Sequence, residues 1–151
     1  MDDAGFMAMA LAEAQRGFDE GGVPVGAVLV GVEGRLLGGG HNRRVQDGDP
    51  IAHGEMDCLR RIGRMRSYAG TTLYTTLTPC MMCTGTIIQF GIPRVVIGEN
   101  RSFDGNEAFL RSRGVEVTVL DDPACVALMQ RFQREKPAVW AEDIGVDHPG
   151  T

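Results

Sequence analysis

Apolar residues recur at Phe6, Met7, Ala10, Leu11, Ala14 and Phe18. That spacing of three and four places them on one face and predicts an amphipathic helix over 3–19. The period then changes. In GGVPVGAVLVGVEGRLLGGGHN (21–42) two apolar runs flank Val32 to Gly34 and predict two strands joined by a tight turn. Asp49 followed by Pro50 predicts an N-cap and a first helical position, opening a helix of roughly 51–66. TTLYTT (71–76) is β-branched and aromatic, a strand pattern. Thr78 as cap and Pro79 as first residue open a further helix, which Gly91 and Pro93 stop. RVVIGEN (94–100) and VEVTVL (115–120) read as strands, each followed by a helical pattern, at about 104–112 and 122–135.

A hairpin followed by strands and helices in alternation implies a partly parallel sheet with helices packed on its faces. At 151 residues the chain suits one ordinary domain. Residues 1–145 are expected to form it, with 146–151 as a C-terminal tail and His148 solvated there. No apolar run approaches the roughly 20 residues of a membrane helix. The acidic start, MDDAGFMAMALAEA, lacks the basic region of a secretory signal. The expectation is a cytoplasmic protein.

Charge and composition narrow the chemistry. A formal charge of −5 argues against a polyanion as main partner. Lys136 is the only lysine and stands beside Pro137, which disfavours Schiff-base chemistry. The four cysteines (58, 80, 83 and 125) suit reduced thiols or metal ligands.

Within LTPCMMCTG (77–85), Cys80 and Cys83 stand three apart, so that their sulfurs share one face of a helix's first turn. Free N–H groups there stabilise thiolates. This serves a redox dithiol as well as a zinc pair, although the mid-chain position does not match a thioredoxin-like context. His53, in AHGEM (52–56), is the natural third ligand if the N-termini of successive helices meet at one end of the sheet. Glu55 is about 200° around a helix from His53. It is therefore better placed beside a metal, near its water, than on it. Three ligands and an open position suit a catalytic zinc; adding Cys58 would give a closed structural site instead. His41 reads as a strand-end hydrogen-bonding residue, and Cys58 and Cys125 otherwise as core residues.

H-x-E followed by P-C-x-x-C is the zinc deaminase signature, and HGE (53–55) with PCMMC (79–83) matches it. Zinc lowers the pKa of bound water toward ~7 and so makes hydroxide available at neutral pH. GGVPVGAVL, GHNRR, TTLYTTLTPCMMCTGTIIQFGIPRVVIGEN, RGVEVTVLDD and WAEDIG extend the likeness: from about Phe6 to Gly145 the chain resembles the fungal-type cytosine deaminase family. The resemblance implies a three-layer α/β/α fold around a mixed five-stranded sheet, a homodimer, and one Zn²⁺ per chain. It implies His53, Cys80 and Cys83 as metal ligands and Glu55 as proton shuttle. For the substrate, a free nucleobase converted from cytosine to uracil, it implies contacts from Asn42 and Gly54, walls from Phe103 and Trp140, and Asp143 against the exocyclic amine.

The chain departs from the family in four places. DPIAHGE differs before the first ligand, Met81 and Met82 replace a more polar pair, Ala141 replaces an aromatic residue, and Val25, in the pocket, replaces a slightly larger aliphatic one. Such changes could re-aim the ring, which makes isocytosine and creatinine alternatives to cytosine. A tRNA-adenosine deaminase draws support from RRIGRMR (60–66), although a solvated helix face explains that run and a WAEDIG lid would exclude a base attached to a chain. A non-catalytic zinc module would leave Glu55 without a task.

Overall fold

The computed structural model describes residues 1–147. Its elements are α1 (Asp3–Asp19), β1 (Gly26–Val30), a 3₁₀ turn (Val32–Gly34), β2 (Leu36–His41), α2 (Arg44–Asp47), α3 (Gly54–Ile62), β3 (Thr72–Leu77), α4 (Met81–Phe90), β4 (Arg94–Glu99), α5 (Glu107–Ser112), β5 (Glu116–Val119), α6 (Pro123–Glu135) and α7 (Pro137–Asp143). The strands form one mixed sheet in the order β2-β1-β3-β4-β5. β1 is antiparallel to β2 and to β3, whereas β3, β4 and β5 run parallel. The His148 and tail assignments lie largely outside the described residues.

Strand alternation builds the layers. Ala27, Leu29, Leu73, Val95 and Ile97 point to one face and pack with Cys58 and Leu59 of α3 and Ile87 of α4. Val28, Val30, Tyr74 and Val96, one residue out of phase, meet Phe6, Met7 and Ala10 of α1 and Cys125 of α6. With both faces covered, β1 is buried at every position. A third cluster caps one end of the sheet and joins Val23, Val25 and Leu77 to Met129, Phe132 and Trp140.

Two helix starts differ from the sequence expectation, and in the same way. Asp49 does not cap a helix at 51; its Oδ1 accepts from Ile51 N–H at 3.0 Å, closing a local turn. The helix waits until Gly54, with His53 extended before it (φ −68°, ψ 163°). Likewise Thr78 N–H is committed to the Glu99 carbonyl at 3.0 Å, and α4 begins after an extended Cys80 (φ −68°, ψ 176°). Gly63, at φ +86°, ends α3 at Ile62. Arg64 and Arg66 therefore lie beyond the helix that carries Arg60 and Arg61, and RRIGRMR is no single helical face.

Helix α1 is tied to the sheet by a polar contact. Asp3 accepts from Arg94 at 2.7 and 3.1 Å and from the Tyr74 hydroxyl at 2.7 Å. The Arg94 hydrogen bonds, followed by that of Tyr74, hold the Asp3 carboxyl below its ordinary 3.8. A depressed folded-state pKa means that this stabilisation is present above about 3.8 and fades as pH falls through the folded value. Asp3→Asn should cost about 1 kcal/mol at pH 7, discounted for partial exposure. In urea melts the gap to the parent should narrow below pH 3.8; a gap independent of pH would show that the carboxylate charge plays no part.

Candidate active site

The site lies at the edge of the sheet where β2, β3 and β4 end and β1 begins. Pairing of Gly26 with His41 puts Asn42 beside Val25, and Asn42 N–H donates to the Val25 carbonyl at 2.9 Å. The start of α3 packs against the same segment. A Cβ on Gly54 would lie 2.7 Å from the Val25 carbonyl oxygen, so only glycine permits this approach.

His53 and Cys80 are the N-cap residues of α3 and α4, and Cys83 lies one turn into α4. An extended N-cap turns its side chain back across the helix start, and the two helix starts face each other. His53 Nδ1 is 3.4 Å from Cys80 Sγ and 3.9 Å from Cys83 Sγ. The three donor atoms lie within 4.8 Å of one another. One imidazole nitrogen and two thiol sulfurs at this spacing fit a zinc ion. Cys80 and Cys83 are free thiols. Cys58 does not complete a four-ligand site; its thiol points to the Gly38 carbonyl at 3.7 Å, within the core beside Leu29.

The electrostatics favour a thiolate here. A hydrogen bond from Cys83, followed by one from His53, brings Cys80 down to about 4 despite burial. Cys83 is pushed up by the bond it gives to Cys80 and by burial. Burial pulls His53 down, but Cys80, Asp143 and Glu55 outweigh it and bring the ring to about 9. A cation on Nδ1 would displace that proton, since ligands must be deprotonated to bind. Glu55 is 4% exposed. Burial first, and then the Cys80 charge, raise its carboxyl to about 7.

A small cavity, open to solvent on one side, lies above the three donors. Val25, Asn42, His53, Glu55, Cys80, Phe103, Trp140 and Asp143, all singled out in the sequence, line it together. Gly54 and Cys83, also singled out, are not among the lining residues. Phe103 meets Trp140 edge-on, with ring centres 6.5 Å apart, and Phe132 supports Trp140 from behind at 6.3 Å. Asp143, brought in by α7, accepts from Asn42 Nδ2 at 3.0 Å and lies 3.5 Å from His53 Nε2. Asn42 Oδ1 also accepts from Arg44 N–H at 2.9 Å. Its amide thus keeps one N–H and one lone pair for another partner.

Leu77, Thr78 and Ile144 also line the cavity. Thr78 adjoins PCMMC and Ile144 lies within WAEDIG, so the motifs could have pointed to them, whereas Leu77 carries no signal beyond its place at a strand end. Three of the four departures leave the cavity untouched. Ile51 and Met81 face solvent, and Ala141 is buried away from the lining. Only Val25 faces inward.

A family model described as the cytidine and deoxycytidylate deaminase zinc-binding region matches residues 1–99. A cytosine deaminase from Candida albicans is 47% identical over 146 residues, spanning 95% of this chain and 97% of that protein. A tRNA-specific adenosine deaminase from Buchnera aphidicola is 43% identical over 99 residues, 64% of this chain and 65% of its own length. Among solved structures, one from a study of A-to-I editing by tRNA:A34 deaminases superposes with a TM-score of 0.72 at 28% identity, covering 83% of this chain and 99% of that one.

Metal and fold should be coupled at this cluster. Cys83→Ala should weaken zinc binding at least about 100-fold and lower the melting temperature of zinc-loaded protein by several degrees, as linkage requires. Metal analysis after gel filtration, together with a thermal melt, checks both. A variant with full zinc content would remove Cys83 from the ligand set.

Proposed function

The chain belongs to the zinc-binding cytidine and deoxycytidylate deaminase family, and from that membership we propose that residues 1–145 convert free cytosine and water to uracil and ammonia. The observation that carries this reading is that one small, aromatic-walled cavity holds the three-donor cluster, a buried carboxylate and a half-used amide. Zinc on His53, Cys80 and Cys83 would supply an acidified water. Every other task falls to the chain's own side chains.

Phe103 and Trp140 offer flat apolar faces to a planar ring. The remaining lone pair and N–H of Asn42 suit the ring N–H and carbonyl of the cytosine edge. Gly54, as first residue of α3, has an N–H with no partner inside the helix, and this is a second donor for that carbonyl. Asp143 accepts from the exocyclic amine and aims the amine-bearing carbon at the metal cluster, while its contact with His53 Nε2 orients the imidazole. Glu55 takes a proton from the attacking water and delivers it to the adjacent ring nitrogen. It then takes the remaining proton of the added hydroxyl and passes it to the amine, which leaves as ammonia as the C–N bond breaks and the new carbonyl forms. A carboxyl raised to about 7 suits a group that must both accept and give a proton near neutrality.

Helix α7 covers the cavity with Trp140 and Ile144, which opposes a base still attached to a nucleic acid. Arg60, Arg64 and Arg66 border a different groove, between α3 and α4. That groove presents Met56, Met65, Tyr68 and Phe90 and supports the homodimer, since exposed apolar patches of this type mark association surfaces. Two thiol metal ligands, which oxidation would consume, support a reducing, cytoplasmic setting. No described helix is long and apolar enough to cross a membrane.

Ammonia release by zinc-loaded protein should be greatest with cytosine among cytosine, isocytosine, creatinine, guanine and cytidine. Isocytosine or creatinine in the lead would mean that Val25 has re-aimed the ring; silence on all five would turn the reading toward tRNA. Glu55→Gln should retain zinc yet keep under about 1% of turnover, the scale of general acid–base assistance. Activity well above that level would remove the shuttle role.

A further inference from the structure

Phe103 reaches the cavity on the loop between β4 and α5, and nothing in the chemistry above holds that loop. Glu99, the last residue of β4, is fully buried. Its Oε2 accepts from two successive backbone N–H groups, Arg101 at 2.7 Å and Ser102 at 2.9 Å. Its Oε1 has no hydrogen-bond partner among the described residues. The adjacent cation is engaged elsewhere: Arg101 grips Asp121 through two contacts, at 2.8 and 2.6 Å. A carboxylate buried in this way is costly. The central-strand position would accept an apolar residue if only packing mattered, so the use of Glu99 lies in the turn it holds. The loop's far end is tied by Asn106 Nδ2 to the Pro79 carbonyl at 2.9 Å, and Asn100, at its start, reaches across to Glu107 at 2.7 Å.

We propose that Glu99 is a positioning residue of the active site, whose buried carboxylate fixes the turn at 100–103 and so sets the Phe103 ring against Trp140. It touches no reacting atom. The consequence for catalysis rests on reading this cavity as the seat of a planar base, but the consequence for the pocket wall does not.

Trp140 is the only tryptophan in the chain and is 8% exposed, so its fluorescence reports the wall directly. Acrylamide quenching should rise at least about twofold in Glu99→Ala and in Phe103→Ala, and no further in the double variant, because coupled residues are not additive. Glu99→Gln, whose amide oxygen can accept both N–H bonds, should quench as the parent does. Glu99→Asp keeps the carboxyl group but shortens its reach, and gives the same reading if the alanine variant does not fold. In kinetics with the preferred base, Glu99→Ala should raise KM about tenfold, the worth of one ordered aromatic contact, with kcat and zinc content little changed. In a Phe103→Ala background the same change should add less than about twofold. Unchanged quenching in a folded Glu99→Ala or Glu99→Asp variant would overturn the proposal, as would effects that multiply with those of Phe103→Ala. If the parent is silent on every base while the quenching pattern holds, the substrate reading fails and the positioning role stands.

Discussion

The structure depends on bringing two helix N-termini to one point with an extended residue in front of each. His53 and Cys80 share almost the same backbone conformation, φ −68° with ψ 163° and 176°. That conformation lets a side chain point back across the helix start into the space between the two helices. Had α3 begun at Ile51 or α4 at Pro79, both ligands would be helical and their side chains would fan out along the helix surfaces. The parallel β3–β4 pair fixes where α4 starts, through the Thr78 to Glu99 backbone bond. The Gly54 contact with Val25 fixes where α3 starts. A sheet edge and one glycine thus set the spacing of the metal donors.

The layers were legible in the sequence because they rest on period. Alternation in β1, β3 and β4, and the three-and-four spacing of α1, each depend on many residues, and no single contact overrides them. The zinc ligands and Glu55 were marked by a motif whose residue types have few other uses together. What escaped was set by long-range contacts. Asp49-Pro50 and Thr78-Pro79 both carry good helix-start chemistry, but the first is absorbed in a local turn and the second is held by a neighbouring strand. Leu77 shows the same limit. It is an ordinary apolar strand residue, and only the placement of Trp140 and Phe103 opposite it makes it part of a site.

Asn42 and Asp143 are two polar side chains joined in the cavity wall. Asn42 is buried and the Asp143 side chain nearly so, and one hydrogen bond of 3.0 Å joins them, while the Asn42 amide keeps one N–H and one lone pair unused. Leaving such a group unpaired would cost about 1–3 kcal/mol. On the proposed reading, a ring that enters would meet these groups by offering an N–H to the Asn42 oxygen, a carbonyl to its amide and an amine to Asp143. A ring of similar shape without that sequence of groups would leave at least one of the two unpaired. Discrimination by shape alone is weak where two flat rings differ by one atom, whereas discrimination by orphaned buried groups is strong. On that reading, selectivity would reside more in the Asn42–Asp143 pair than in the aromatic walls, which would hold either ring equally well.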